Sequence, residues 1–423
     1  MDRIIIEGGR RLKGTMRVSG AKNSALPIMA ATILARGRVR LENVPHIRDI
    51  KSMVAVLRTL GAKVMLDNFG VATISTRTVN QPEANYELVK TMRASILVLG
   101  PLVATLGRAR VSLPGGCAIG TRPIDIHLNG LAALGADIRI EGGYVIAEAE
   151  RLKGGTYRMN FASVGATENL MMAASLAEGR TILENCAREP EIVDLANYIN
   201  SMGGEVTGAG TETIEIEGKE SLEGSTYSIM PDRIEAGTFL VAGAITGGDV
   251  TVAPMPTVHL ESFLDMMERA GVRLEYDDDA RSIRVLPGGK LQPVEVRTEV
   301  FPGFPTDLQA QLMALSCITE GESLYHETIF ENRFMHVAEL RRLGADITIE
   351  GGTARVKGVR VLSGAEVMAS DLRASAALIL AGLVARGRTS VTRVYHIDRG
   401  YERFEEKLAA LGANIHRDRD TAN

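Results

Sequence analysis

One thiol stands in an unusual setting for a cysteine. In LPGGCAIGTRPID, residues 113–125, Cys117 follows Pro114, Gly115 and Gly116 and precedes Gly120, with Arg122 five residues on. A cysteine kept for packing normally lies in an apolar helix or strand. Turn residues of this kind predict a loop. An accessible thiol there is a candidate acid or nucleophile, and a guanidinium beside it would stabilise a thiolate or hold an anion. Cys186, in ILENC, and Cys317, in LMALSCI, have apolar settings and are expected to be structural. The three cysteines show no CxxC spacing, so neither a disulfide framework nor a metal site is expected.

A second group of polar residues recurs at one phase of the chain. AKNSALP, MRASIL, SVGATENL, DRIEAGTF, FPTDLQAQ and DLRASAAL each open an apolar stretch. Lys22, Arg93, Ser163, Arg233, Asp307 and Arg373 stand 14 to 16 residues before a glycine that ends each stretch. These positions read as helix starts, where unsatisfied N–H groups and the macrodipole attract anions. Asn23, Ser24, Ser95, Thr306 and Asp371 are of the types that cap such ends. Capping leaves the lysine and arginines unexplained, because a cation is disfavoured at a helix start. The pattern therefore predicts bound phosphate or carboxylate nearby.

The elements that position these groups repeat along the chain. RTLGAKV, AALGADIRIEGG, NSMGGEV, ERAGVRLEY, RRLGADITIEGG and AALGANI place Gly61, Gly135, Gly203, Gly271, Gly344 and Gly412 at separations of 74, 68, 68, 73 and 68 residues. Gly37, Gly107, Gly179, Gly248, Gly321 and Gly387 mark the same units earlier and are expected at helix C′ positions. From first to second glycine the units run 24, 28, 24, 23, 23 and 25 residues, so the Cys117 loop is an insertion in the longest one. The first helix of each unit is apolar nearly all round, as in SALPIMAATILA, and belongs inside a domain. The second is amphipathic. A solenoid is the competing reading, but units near 70 residues exceed the usual solenoid period. The expected fold is α/β, with two pseudo-symmetric domains, each of three βαβαββ units around buried helices. The first domain spans 22–230 and carries the Cys117 loop. The second is discontinuous, 1–21 plus 231–423, with RIIIEGG pairing into the last unit.

Composition narrows the function. The chain has 423 residues, 45% hydrophobic and 24% charged, with net charge −4, aromatics at 4% and no Trp. That suits an enzyme and argues against nucleic-acid binding. No apolar run reaches membrane-spanning length, and the N-terminus is too charged for a signal peptide. A cytoplasmic monomer is expected.

Taken with PGGCAIGTRPIDIHL, IFENRFMHV and HIDRGYE, these motifs closely resemble the UDP-N-acetylglucosamine 1-carboxyvinyltransferases, a branch of the enolpyruvyl transferase family. The resemblance covers nearly the whole chain. It implies an inside-out α/β barrel and transfer of the enolpyruvyl group of phosphoenolpyruvate to UDP-N-acetylglucosamine, without a cofactor, at the start of peptidoglycan synthesis. It further implies that Cys117 is the proton donor and can carry a covalent phosphoenolpyruvate-derived adduct, and that Asp307 accepts the hydroxyl proton. Lys22, Arg122, Arg399 and Arg373 would surround phosphoenolpyruvate, with Asn23 at the reaction centre. Arg93, Arg122, Pro123, Ile124, Asp125, Ile126, Ser163, Val164, Gly165, Asp307 and Ile329 match nucleotide-sugar contacts. Some members carry a lysine two residues before SVG; here Phe161 stands there, so no diphosphate contact is expected from it. A loop cysteine implies sensitivity to fosfomycin. The rival readings are a 5-enolpyruvylshikimate-3-phosphate synthase, a non-catalytic nucleotide-sugar sensor, and a hydrolytic or metal site at His127, His396 and Asp398. For the last, structural histidines are the plainer expectation, since no HExxH-like spacing supports a metal.

Overall fold

The computed structural model describes residues 2–84, 86–89, 92–113 and 124–419. These divide into two compact units, one holding 20–113 and 124–230, the other 2–19 and 231–419. The boundary lies at Ser19/Gly20, two residues earlier than the sequence reading placed it. Each unit has its own apolar core.

Each unit holds three four-stranded sheets with one common order: a parallel edge strand, then three strands paired antiparallel. A middle repeat shows the pattern whole: Glu295–Arg297, helix Thr306–Ser316, Glu322–His326, helix His336–Arg342, Asp346–Glu350 and Thr353–Lys357. This is βαβαββ. Repeats at the unit ends complete themselves with distant strands. Thr226–Ser228 pairs with Arg38–Glu42 and supplies the edge of the first repeat's sheet. Lys13–Arg17 supplies that edge for the fourth, beside Asp249–Ala253. Arg3–Glu7, with Ile4, Ile5 and Ile6 buried, lies between Arg388–Thr392 and Asn414–Asp418 in the last. The Ile-rich N-terminus thus joins the final repeat, as its pattern predicts.

The first helices are Lys22–Ala31, Leu99–Leu106, Val164–Ala174, Arg233–Ile245, Thr306–Ser316 and Leu372–Gly382. Within each unit they pack on one another and under the sheets. Arg233–Ile245 is buried at every residue, which explains its lack of a polar face. The second helices bury one stripe, as Ile50, Met53, Val54 and Leu57 do in Arg48–Thr59.

The later glycine of every repeat has φ between 78° and 102°, the region that admits glycine without strain and lets the chain leave the second helix. The earlier glycine corrects the sequence reading. Gly107 caps its helix at φ 70°. Gly179, Gly321 and Gly387 instead stand directly before strands Arg180–Glu184, Glu322–His326 and Arg388–Thr392, beyond the helix end. At Gly248 the positive φ belongs to Gly247. There a Cβ would lie 2.2 Å from the Leu12 carbonyl oxygen, so close backbone approach is the requirement.

A second correction concerns the helix after Met92. Arg93–Val98 winds as a 3-10 helix before the α-helix Leu99–Leu106 begins. Pro101 has no N–H to offer Leu97, so the regular ladder breaks there.

Candidate active site

All six polar positions singled out in the sequence lie at helix starts. Lys22, Arg93 and Arg233 are first residues, Asp307 and Arg373 second ones, and Ser163 precedes its helix. The expected caps fare less well. Asp371 does cap, accepting from the N–H groups of Arg373 at 2.9 Å and Ala374 at 3.0 Å. Ser163 caps through Ala166, and Asp232, not anticipated, takes Ile234 at 2.8 Å and Glu235 at 3.0 Å. Asn23, Ser24, Ser95 and Thr306 do not cap their helices. Ser24 turns its hydroxyl to buried Asp194, and Thr306 donates to Glu327 at 2.9 Å.

In the unit built from 20–230, Lys22 Nζ meets Asp49 Oδ2 at 2.8 Å, with Asp49 buried in the first turn of Arg48–Thr59. A protein carboxylate therefore already answers this cation. Asn23 follows, half-buried. Ile124 precedes helix Asp125–Ala133, which begins with exposed Asp125 and buried Ile126. Val164 and Gly165 are half-buried at the start of their helix. Phe161 is 52% exposed. Cys117, Arg122 and Pro123 lie outside the described residues.

In the unit built from 2–19 and 231–419, one carboxylate gathers two arginines. Asp307 Oδ1 accepts from Arg333 Nη2 at 2.8 Å and its Oδ2 from Arg373 Nη2 at 2.9 Å. Both guanidinium side chains are 4% exposed, against 27% for Asp307. The carboxylate is thus oriented by two nearly buried guanidiniums, one on each oxygen. Arg373 also lies over the Tyr401 ring, 5.3 Å from the centroid. Burial disfavours its charged form, but the Asp307, Tyr401 and Asp232 charges and the Asp307 hydrogen bond together outweigh that and hold the guanidinium above its ordinary value. Arg399, half-buried, ends the 3-10 segment Val394–Arg399, which packs on Leu372–Gly382. Arg233 stacks over Phe301 at 5.7 Å.

Ile329 is placed by Glu327. The Glu327 carboxylate accepts from Thr298 Oγ1, Ile329 N–H and Thr306 Oγ1, each at 2.9 Å, and from Phe330 N–H at 3.1 Å. It ties the Ile329 segment to the first turn of the helix that carries Asp307. Arg333, Glu327 and Asp49 were missed in the sequence. Arg333 stood in the quoted motif IFENRFMHV, and its burial was the missing fact.

His127, His396 and Asp398 do not form a ligand set. Asp398 is taken by Arg417 at 2.9 Å, and among the described residues no three His, Cys, Asp or Glu side chains cluster as metal ligands. Burial pushes the Cys186 and Cys317 thiols up to about 12, in keeping with structural roles.

Comparison with known proteins decides the family. A family model described as EPSP synthase (3-phosphoshikimate 1-carboxyvinyltransferase) matches residues 6–408. The UDP-N-acetylglucosamine 1-carboxyvinyltransferase of Geobacter metallireducens is 58% identical over 417 residues, covering 99% of both chains. That of Myxococcus xanthus is 56% identical over 421 residues, covering 99% of this chain and 100% of its own. The chain belongs to the UDP-N-acetylglucosamine 1-carboxyvinyltransferase family of enolpyruvyl transferases. Among solved structures, the enolpyruvyl transferase NikO of Streptomyces tendae aligns with a TM-score of 0.88 at 28% identity, covering 98% of each chain. An EPSP synthase of Acinetobacter baumannii aligns at 0.76 with 20% identity, covering 99% of this chain and 100% of its own, and shares the fold. Within the UDP-N-acetylglucosamine 1-carboxyvinyltransferases, then, the buried arginine pair under Asp307 belongs to a transferase framework.

Proposed function

We infer that this enzyme transfers the enolpyruvyl group of phosphoenolpyruvate to the 3′-hydroxyl of UDP-N-acetylglucosamine and releases phosphate. The observation that carries this reading is the full-length identity of 58% to an enzyme of that name. The geometry of Asp307 supports it.

The chemistry needs an acid, a base and cations. Cys117 gives its proton to C3 of phosphoenolpyruvate, and positive charge develops at C2. The 3′-hydroxyl oxygen bonds to C2 while its proton passes to Asp307. The resulting tetrahedral phospho-ketal then loses a proton from C3, and the C2–O bond to phosphate breaks. Acid and base each typically contribute about 10²–10⁴-fold. Lys22, Arg122, Arg373 and Arg399 hold the phosphate and carboxylate of the donor, which carries several negative charges. Asn23, Arg93, Arg122 to Ile126, Ser163 to Gly165 and Ile329 hold the nucleotide sugar. Protonation and addition–elimination require no metal or organic cofactor. The product commits the sugar to peptidoglycan, and the enzyme works as a cytoplasmic monomer. No helix among the described residues is long and apolar enough to cross a membrane.

The test is phosphate release from phosphoenolpyruvate with UDP-N-acetylglucosamine, with shikimate 3-phosphate in parallel, for wild type and Cys117→Ala. Release with the nucleotide sugar alone, lost in the variant, is expected. Release with shikimate 3-phosphate alone would transfer the chain to the other branch. No release with either would leave a sensor.

A further inference from the structure

One turn inside the helix starts of the unit built from 2–19 and 231–419, three polar side chains meet out of solvent. Gln311 lies on helix Thr306–Ser316, four residues beyond Asp307. Its Nε2 donates to the Asp307 main-chain carbonyl at 2.8 Å, to Thr238 Oγ1 at 3.1 Å and to the Tyr401 hydroxyl at 3.2 Å. Thr238, on helix Arg233–Ile245, lies 2.8 Å from the same hydroxyl. Thr238 and Gln311 are fully buried, and Tyr401 is 2% exposed. The directions of these bonds are determined. Thr238 gives its one hydroxyl proton to the Ile234 carbonyl at 2.7 Å. It can only accept from Tyr401, so the phenol is the donor and its oxygen accepts from Gln311. The Asp307 carbonyl, an acceptor only, sets the Gln311 amide with its nitrogen inward. Burial is the largest cause acting on the phenol and raises it above its ordinary value against the Arg373 charge, so it keeps the proton it donates.

Tyr401 also stands between two cations. The Arg373 guanidinium lies over its ring, 5.3 Å from the centroid. Along the chain, Tyr401 follows Arg399 with only Gly400 between them. Its N–H bonds the Ile397 carbonyl at 3.0 Å, inside the 3-10 segment that ends in Arg399. Gly400 is pressed against the helix that carries Arg373, since a Cβ there would lie 2.5 Å from Leu372 Cδ2. The far edge of the ring packs on Phe404, with centroids 4.8 Å apart. One side chain therefore touches Arg373 by its face, holds the Arg399 segment by its backbone, and reaches the Asp307 helix through Gln311 by its hydroxyl.

We propose that Tyr401 is a positioning residue for the transfer reaction: its hydroxyl, locked between Thr238 and Gln311, keeps Arg373 and Arg399 in register with Asp307. This rests on the transfer reading, which assigns the two arginines to phosphoenolpyruvate and Asp307 to the hydroxyl proton. Tyr401, Thr238 and Gln311 act through those groups and touch no substrate themselves. Register matters because a misplacement of about 1 Å can cost a reaction about 10²-fold. A buried, fully directed hydrogen bond suits the task, since the phenol has one acceptor for its proton and cannot settle in a second arrangement.

The test is steady-state phosphate release with phosphoenolpyruvate and UDP-N-acetylglucosamine varied in turn. Tyr401→Phe keeps the ring and removes the hydroxyl. Thr238→Val removes its acceptor at nearly the same shape, and Thr238→Ser keeps it. Tyr401→Phe should raise KM for phosphoenolpyruvate about tenfold, the size of one hydrogen bond, and leave KM for the nucleotide sugar within about twofold. Thr238→Val should match it, and Thr238→Ser should stay within about twofold of wild type on both substrates. The double variant Tyr401→Phe/Thr238→Val should be no worse than Tyr401→Phe, because one bond cannot be lost twice. In wild type, ¹H NMR should show a slowly exchanging phenolic proton that is lost in Tyr401→Phe and moved in Thr238→Val. An unchanged KM for phosphoenolpyruvate in Tyr401→Phe, equal rises in both KM values, multiplied losses in the double variant, or a phenolic proton in fast exchange would each overturn the proposal. Wild type that releases no phosphate with UDP-N-acetylglucosamine would remove the transfer reading and the positioning role with it, while the phenolic proton would still decide the lock by itself.

Discussion

Asp307 shows how the carboxylate proposed as the base is held. Two nearly buried guanidiniums fix its two oxygens, and the side chain itself stays 27% exposed. Asp307→Asn should keep the shape but remove the base, lowering kcat about 10²–10⁴-fold in the phosphate-release assay. Asp307→Ala should also destabilise the fold, because two buried cations lose their partner. Removing one member of a buried pair costs about 3–5 kcal/mol, and the partial exposure of Asp307 puts the expected loss at the lower end, read by urea unfolding. A different carboxyl shows the opposite environment. Glu168 is 4% exposed, and burial first, then the charges of Glu191 and Glu189, raise its pKa well above 4.5. The native state then holds this proton more tightly than the unfolded chain. Its stabilisation is complete below the unfolded value and is lost as pH rises through the folded one. Wild type should therefore lose stability relative to Glu168→Gln between about pH 5 and pH 8, compared by urea midpoints at both ends. Equal midpoint differences at the two pH values would refute this.

At the scale of elements, the site depends on segments tied to helix starts. Glu327 receives two threonine hydroxyls and two backbone amides, and so couples the Ile329 segment to the Asp307 helix. Glu327→Ala should cost about 2 kcal/mol, since buried Thr298 and three partly buried donors lose their acceptor. It should also raise KM for the nucleotide sugar more than KM for phosphoenolpyruvate. Equal effects on both would mean that the clamp is structural alone. The helix starts themselves were legible, because polar residues before an apolar run are a local pattern. The caps were not fully so. Ser24 and Thr306 are cap-type residues, yet each serves a distant carboxylate, Asp194 or Glu327, that only packing brings near.

At the scale of the molecule, the N-terminus completes a unit whose other residues begin at Pro231. Arg3–Glu7 is an inner strand of one sheet and Lys13–Arg17 the edge of another. Deleting residues 1–19 should open both sheets of that unit and leave the 20–230 unit closed by its own Thr226–Ser228 strand. Hydrogen exchange should then lose protection in 231–419 and keep it in 20–230. Uniform loss would mean that the two units fold only together.

The sequence by itself determined the period, the alternation of buried and amphipathic helices, the strand content and the chemistry at each helix start. These are set by neighbours along the chain, through periodicity, turn residues and capping types. The tertiary structure decided which partners those groups take. Asn169 meets Gly100, Ile96 and His127 across 69, 73 and 42 residues, and Asp307 meets Arg373 across 66. Of the six earlier glycines expected as helix caps, Gly179, Gly321 and Gly387 serve strand entry and Gly248 a close backbone contact, because what demands glycine at Gly248 is Leu12, far away in sequence. Hydrogen-bond direction and the burial of a charge depend on groups that only the packed repeats bring together.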